Sequence, residues 1–348
     1  MAKRLKDWKV LVGFIIAVLF LYLAFRKVNF AEMWLALKQA KYWYFVPALG
    51  MIFFAHWLRA LRWRYLLAPI GQVGTGVLYS SLLIGYMANT FLPAHLGEFI
   101  RAYLVGKNRP IRSSAVFATI VIERIIDVFS LLIIMTLAIV VFPFPDWVRL
   151  SGYISFGVIA MLVLVLVLMK KHRQKSARIL QALIKPLPEK VRHRVNELLH
   201  SFLDGVTGLK NWRHYIIVMV LTILIWFFYG LIFQVAFIAF DFISIYNLPW
   251  MTSLVLLVIT TIAVVVPSSP GYVGTYHYLC QLSLGFFGIP KSEALTYAFV
   301  VHGVNFFPIL IVGAVLVSWM GMNLKSIQKE AEKEADVIED DLTPDKES

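Results

Sequence analysis

The sequence predicts an all-α, polytopic membrane protein, and three observations predict it. Of 348 residues, 60% are hydrophobic and only 15% charged, against roughly 45–50% and about 25% in an ordinary soluble domain. The apolar excess is gathered into blocks of the length that crosses a bilayer. The basic residues that give the net charge of +13 sit in the short connectors between those blocks, where the positive-inside rule puts them.

Six blocks read as full spans, at about residues 9–25, 43–58, 114–142, 151–169, 214–240 and 293–319. Each is near the ~20 apolar residues needed to cross a hydrocarbon core. The first follows the basic start MAKRLKDWK, and no small-residue cleavage site follows Leu23, so it is expected to stay as an anchor. Charge placement also argues against nucleic acid as a partner, because the cations form no stripe on one soluble face. A single cysteine, Cys280, excludes an internal disulfide or thiolate metal site.

Two more apolar stretches, 76–106 and 249–289, are broken in the middle by proline and glycine. Proline removes a donor and ends a helix, and glycine allows the turn. Each stretch is therefore expected to be a re-entrant pair of half-helices, with elbows at Pro93 and Gly97 and at Pro267, Pro270, Gly271 and Gly274. The second half-helices are expected to start at Pro93 and Pro270 and to point their free amides into the membrane, a setting that suits an anion such as phosphate.

Orientation follows from the connector at 170–213, where eleven Lys and Arg stand against three acids. That connector should be cytoplasmic, which puts both termini inside. Its segment IKPLPEKVRHRVNELLHSFLDGV has the spacing of an amphipathic helix, lying either on anionic lipids of the inner leaflet or packed on the bundle. The resulting plan is one transmembrane domain over 1–324. A first unit, about 43–142, and a second, about 214–319, are related as an inverted repeat, because Pro93 precedes Gly97 by the same four residues that separate Pro267 from Gly271. Inverted repeats with broken helices build alternating-access transporters with a midplane site. The tail at 325–348, with nine acids after Lys329, is expected to be a disordered cytoplasmic segment.

Charge inside an apolar run is the strongest chemical signal. Glu123, Arg124 and Asp127 lie within TIVIERIIDVFSLLIIM, and each ionised group at a bilayer centre costs at least ~2.5–3.5 kcal/mol. Something must compensate for them. Arg124 is spaced to pair with Asp127 along one helix; a structural ion cluster and a substrate site are both open readings. The first elbow adds His95, Glu98 and Arg101, with Glu98 and Arg101 one turn apart. The second elbow is polar, with Ser268, Ser269, Tyr272, Thr275, Tyr276 and His277, and the last span adds His302 and Asn305. His56, Arg59 and Arg62 are expected to snorkel toward phosphates at the inner interface. No zinc, Walker or nucleophile-elbow pattern is present in the sequence, so no catalytic residue, metal or cofactor is expected.

The runs LRALRWRYLL, FLPAHLGEFIRAYLVGKNRPIRSSAVFATIVIERIIDVFSLL and VVPSSPGYVGTYHYLCQLSLGFFGIPKSEALTYAFVVHGVNFFPILIVG resemble the lysylphosphatidylglycerol synthase transmembrane region family, the flippase-like or UPF0104-type membrane proteins. The resemblance covers about residues 10–320. It implies a lipid-translocating domain without the soluble aminoacyltransferase, and hence a transporter, not an enzyme. By motif position Pro93, Gly97, Glu98, Arg101, Glu123, Arg124 and Asp127 carry the first-half pattern, and Pro270, Gly271 and Gly274 the second. Where family members often have Glu after the second elbow, this sequence has Thr275, Tyr276 and His277.

The expectation is therefore a flippase-like cell-membrane protein for a phospholipid or polyprenyl-type lipid phosphate, held by Glu98, Arg101, Glu123, Arg124, Asp127, His95, His277, Tyr276, His302 and Asn305. The alternatives are an intramembrane lipid-phosphate-modifying enzyme or its accessory subunit, and a small-solute secondary transporter.

Overall fold

A computed structural model describes residues 2–92, 96–107, 111–141, 212–265, 270–323 and 326–330, together with 150, 157, 161, 332 and 333. The span expected at 151–169, the basic connector with its amphipathic segment, nearly all of the acidic tail, and Pro93, His95, Pro267, Ser268 and Ser269 lie outside the described residues. Among the described residues there is no strand, and the chain is an all-α membrane protein. Among the described residues three helices are long and apolar enough to cross a membrane by themselves: Tyr42–Leu67, Trp212–Ala239 and Lys291–Trp319.

In chain order the helices are α1 (Ala2–Phe25), α2 (Phe30–Gln39), α3 (Phe45–Leu67), α4 (Thr75–Phe91), α5 (Gly97–Gly106), α6 (Ser113–Val141), α7 (Trp212–Ala239), α8 (Phe242–Tyr246), α9 (Thr252–Val265), α10 (Thr275–Gly285) and α11 (Lys291–Trp319). A left-handed residue, Lys27 at φ 64, turns the chain from α1 into α2. Asn29 then caps α2, its Oδ1 accepting from the Ala31 amide at 2.9 Å, which satisfies one of the free donors of the first turn.

The two proline-glycine stretches fold as consecutive helix pairs packed on one another, α4 on α5 and α9 on α10. Between α4 and α5 the approach is so close that a Cβ at Gly97 would run into the Gly85 carbonyl oxygen. In lipid the hydrophobic effect does not drive helices together, so small residues that let backbones touch are what hold such a pair.

The second half-helices begin later than the sequence suggests. α5 starts at Gly97 instead of Pro93, and α10 at Thr275 instead of Pro270, after a short 3-10 turn at Pro270–Tyr272. For α10 the reason is backbone handedness: Gly271 (φ 68), Tyr272 (φ 59) and Gly274 (φ 95) all lie in the left-handed half of φ space, which no right-handed helix can include. For Tyr272, which has a Cβ, that conformation costs roughly 1–2 kcal/mol.

The principal packings have a regular pattern. Exchanging α3, α4, α5 and α6 for α7, α9, α10 and α11 maps each onto another that is present: α3 on α4 becomes α7 on α9, α5 on α6 becomes α10 on α11, and α4 on α11 becomes α6 on α9. α3 and α7 pair along the exchange axis, with Leu58, Leu221 and Ile225 between them. Among the described helices α1, α2 and α8 stand outside the pattern. α1 packs on α10, where Gln281 Nε2 donates to the Ala24 carbonyl at 3.0 Å, and α2 packs on α11.

α3 also runs farther than the apolar block at 43–58. It continues through Arg59, Arg62 and Arg64 to Leu67, because the first two of these arginines turn into the bundle and find carboxylates there.

Candidate functional site

α3, α5 and α6 bring five charged side chains into one buried cluster. Arg59 Nη2 donates to Glu123 Oε1 at 2.8 Å and also to Asp127. Arg62 Nη2 donates to Asp127 Oδ1 at 2.7 Å, and Arg101 Nη2 to Glu123 Oε2 at 2.8 Å. Glu123 is completely buried, and the Arg59, Arg62 and Arg101 side chains are at most 6% exposed. α7 completes the shell through Thr222, which accepts from Arg62 Nη1 at 3.2 Å, and Tyr229, which accepts from Arg59 Nη1 at 3.4 Å. The Arg101 guanidinium lies over the Trp63 ring, 4.2 Å from its centroid, while Trp63 Nε1 donates to Thr119 Oγ1 at 2.9 Å.

The helical period explains why these residues meet. Glu123 and Asp127 are one turn apart on α6, so they present a single acidic face. Arg59 and Arg62 are one turn apart on the facing side of α3 and answer it. This arrangement overturns two expectations. Arg59 and Arg62, with His56, do not snorkel to an interface: all three are buried, and His56 Nδ1 is 2.6 Å from the Ile52 carbonyl. Arg124 does not pair with Asp127 along the helix either, because Asp127 is already taken by arginines from α3.

Arg124 points the other way, to the first elbow. Its Nε donates to Glu98 Oε1 at 2.7 Å, and these two side chains are the accessible edge of the assembly, at 37% and 17% exposure. Glu98 and Arg101, one turn apart, thus serve different partners and do not pair with each other. Four guanidinium groups meet three carboxylates, Glu98, Glu123 and Asp127, which leaves the assembly with one positive charge in excess. The Gly97 amide at the start of α5 accepts no ligand of its own, since it donates to Asn89 Oδ1 at 2.8 Å.

The second elbow carries a separate aromatic and imidazole group. His277 Nδ1 accepts the Gly274 amide at 3.3 Å, which places the His277 hydrogen on Nε2, where it faces His302 Nδ1 at 3.4 Å. His302 is left with its hydrogen on Nε2 and also bonds the Gly271 backbone. Tyr276 stacks on His302 with ring centroids 4.6 Å apart, and Phe299 lies 4.0 Å from His277. Asn305 donates to the Val301 carbonyl of its own helix at 2.9 Å. The predicted residues therefore fall into two groups: Glu98, Arg101, Glu123, Arg124 and Asp127 in one, and Tyr276, His277 and His302 in the other, with Asn305 bonded locally.

Tyr272 connects the two groups. It sits in the second elbow, which packs on α4, and it is within electrostatic reach of Arg124, Glu98 and Tyr86. Tyr86, on α4, lies in turn beside Arg59, Arg124 and Tyr229. Sequence reading missed Arg59 and Arg62 as cluster members and Tyr86 altogether. The one signal that could have found the arginines is their spacing of three on a helix, a match to the spacing of four between Glu123 and Asp127.

Broken helix pairs, a buried ion cluster and a bundle of apolar helices define a multi-pass membrane protein with a polar interior. The sequence profile described as Lysylphosphatidylglycerol synthase TM region matches residues 10–313, and the chain belongs to that family. It is 21% identical over 304 residues, covering 83% of this chain and 89% of the relative, to a UPF0104 membrane protein of Methanothermobacter thermautotrophicus. A shorter stretch of 88 residues is 32% identical to Glycosyltransferase AglD of Haloferax volcanii, covering 25% of this chain and 14% of that protein. The family is a lipid-related one, and a lipid is in general terms the partner it implies.

Proposed function

We propose that the protein translocates a membrane lipid or lipid-linked phosphate between leaflets. The headgroup is received at the Arg124–Glu98 edge between the two helix pairs, near the midplane, while the acyl chains stay in lipid. One observation carries the reading: a network of seven ionisable side chains is buried among apolar helices, has an excess positive charge, and leaves one guanidinium accessible. A phosphate brings the missing negative charge. The exchange pattern of the packings supports an inverted repeat, the architecture in which one half moves against the other around a fixed site.

On this reading Arg59, Arg62, Arg101, Glu123 and Asp127 hold α3, α5 and α6 in register and do not touch substrate. The protein acts as a transporter and not as an enzyme. It sits in the cell membrane with both termini cytoplasmic, and the basic connector at 170–213 contacts anionic lipids of the inner leaflet. The described histidines of the second elbow use their ring nitrogens on backbone atoms and on each other, which favours transport over acid–base catalysis.

The test is lipid scrambling in proteoliposomes of phosphatidylcholine and phosphatidylglycerol, with a fluorescent phosphatidylglycerol whose outer-leaflet fraction is chemically bleached. Wild type is expected to expose the inner pool and Arg124→Gln to do so at least about tenfold more slowly, since a charge-assisted bond is worth roughly 1.5–3 kcal/mol. Equal rates for wild type, Arg124→Gln and protein-free vesicles would reject the proposal.

A further inference from the structure

Three side chains from separate parts of the chain converge at the accessible edge of the ion network, and each retains hydrogen-bonding capacity there. Arg124, from α6, uses its Nε on Glu98, and among the described residues nothing takes its two terminal nitrogens. Tyr86, from α4, is half-buried, its ring 5.9 Å from the Arg59 guanidinium carbon and edge-on to His56 at 5.3 Å, and its hydroxyl has no partner among the described residues. Tyr272, from the second elbow, is half-buried too, and its hydroxyl likewise has none there.

Tyr272 is moreover held at φ 59, a left-handed backbone that a residue with a Cβ adopts only when its surroundings impose it. Residues kept in such conformations cluster where a side chain must be aimed at a ligand. The turn that carries Tyr272 packs on α4, which leaves the phenol within electrostatic reach of Arg124, Glu98 and Tyr86, at the boundary between the two halves of the molecule.

We infer that Tyr86 and Tyr272, together with Arg124, form a receptor for a phosphate oxyanion, with one guanidinium fork and two phenolic donors supplied by both halves of the fold. The inference rests on the lipid-phosphate reading of the site and names two binding residues that the family motif does not contain. A guanidinium supplies two parallel donors to a pair of phosphate oxygens, and the phenols close the remaining sides without adding charge. Glu98 orients Arg124 and repels a second anion, so the receptor suits one phosphate. Because Tyr272 belongs to the second elbow and Tyr86 to α4, binding draws the two halves together.

The test uses the full chain in detergent with two probes, dihexanoyl-phosphatidylglycerol and inorganic phosphate, titrated by thermophoresis. Tyr86→Phe and Tyr272→Phe each remove one hydroxyl and keep the ring, so the fold is not at stake; Tyr79→Phe, whose hydroxyl bonds only the Phe53 carbonyl, is the control. Each site variant is expected to weaken lipid binding roughly ten- to a hundredfold, with the control unchanged. If inorganic phosphate binds as tightly and with the same tyrosine dependence, the receptor stands and its occupant is free phosphate. Wild type and both site variants binding within about twofold of each other, or no binding of either probe to wild type, overturns the inference. Binding that depends on both tyrosines in a protein that does not scramble lipid would sink the transport reading and leave the receptor. Scrambling indifferent to both tyrosines would do the reverse.

Discussion

At the scale of single residues, the charged side chains divide by burial into two kinds, and their substitution should separate accordingly. Glu123 binds Arg59 and Arg101 with no exposure to solvent. Removing its charge as Glu123→Gln leaves guanidinium groups buried without an anion, a loss of roughly 3–5 kcal/mol. Arg124 is over a third exposed, and a pair of that kind contributes about 0–1 kcal/mol. Chemical unfolding in detergent should therefore show Glu123→Gln strongly destabilised and Arg124→Gln close to wild type, even though Arg124→Gln is the variant expected to slow transport. Equal losses would mean that the accessible pair is as structural as the buried one. The sequence displayed Glu123, Arg124 and Asp127 openly, since charge in an apolar run is a local signal. It concealed their partners, because Arg59 and Arg62 reach them across more than sixty residues and no local periodicity encodes which helices will face each other. Tyr86 and Tyr272 were harder still: tyrosine is at home in any membrane helix, and only the packing of the second elbow on α4 brings the second one within reach of Arg124.

At the scale of elements, the α4–α5 pair depends on the absence of two side chains. A methyl at Gly97 would meet the Gly85 carbonyl oxygen and come within 2.5 Å of Asn89 Oδ1, the atom that caps α5. Gly97→Ala must then push the helices apart and break the cap, each of them a destabilising change of about 1–3 kcal/mol. The expected outcome is a lower unfolding midpoint than for Gly50→Ala, where an added methyl meets nothing within 4 Å. The existence of this pair was legible from FLPAHLGEF, because proline and glycine punctuate a helix wherever they fall. The starting residues were not, since where a helix resumes depends on which backbone angles the packed neighbours allow. Glycine-rich segments permit several.

At the scale of the whole molecule, the apolar blocks alone determined the class, and the spacing of prolines and glycines pointed to two units, a reading the pattern of helix packings supports. What the units do to one another emerges only from packing. α1 supports the second half: the Ala17 carbonyl lies 2.6 Å from where a Cβ on Gly274 would sit, and Gln281 anchors to the chain end of the same helix. Among the described residues α5 packs on α4 and α6, and its Ile100 and Leu104 share a buried core with Val317 and Ile327. The second elbow is thus braced by a helix that lies outside the exchange pattern, as a post steadies a door. Removing its anchor as Gln281→Ala should speed deuterium exchange of the α10 backbone amides in lipid nanodiscs, and an unchanged rate would mean that α1 does not brace them. On the transport reading, that brace makes the second elbow the fixed wall of the passage.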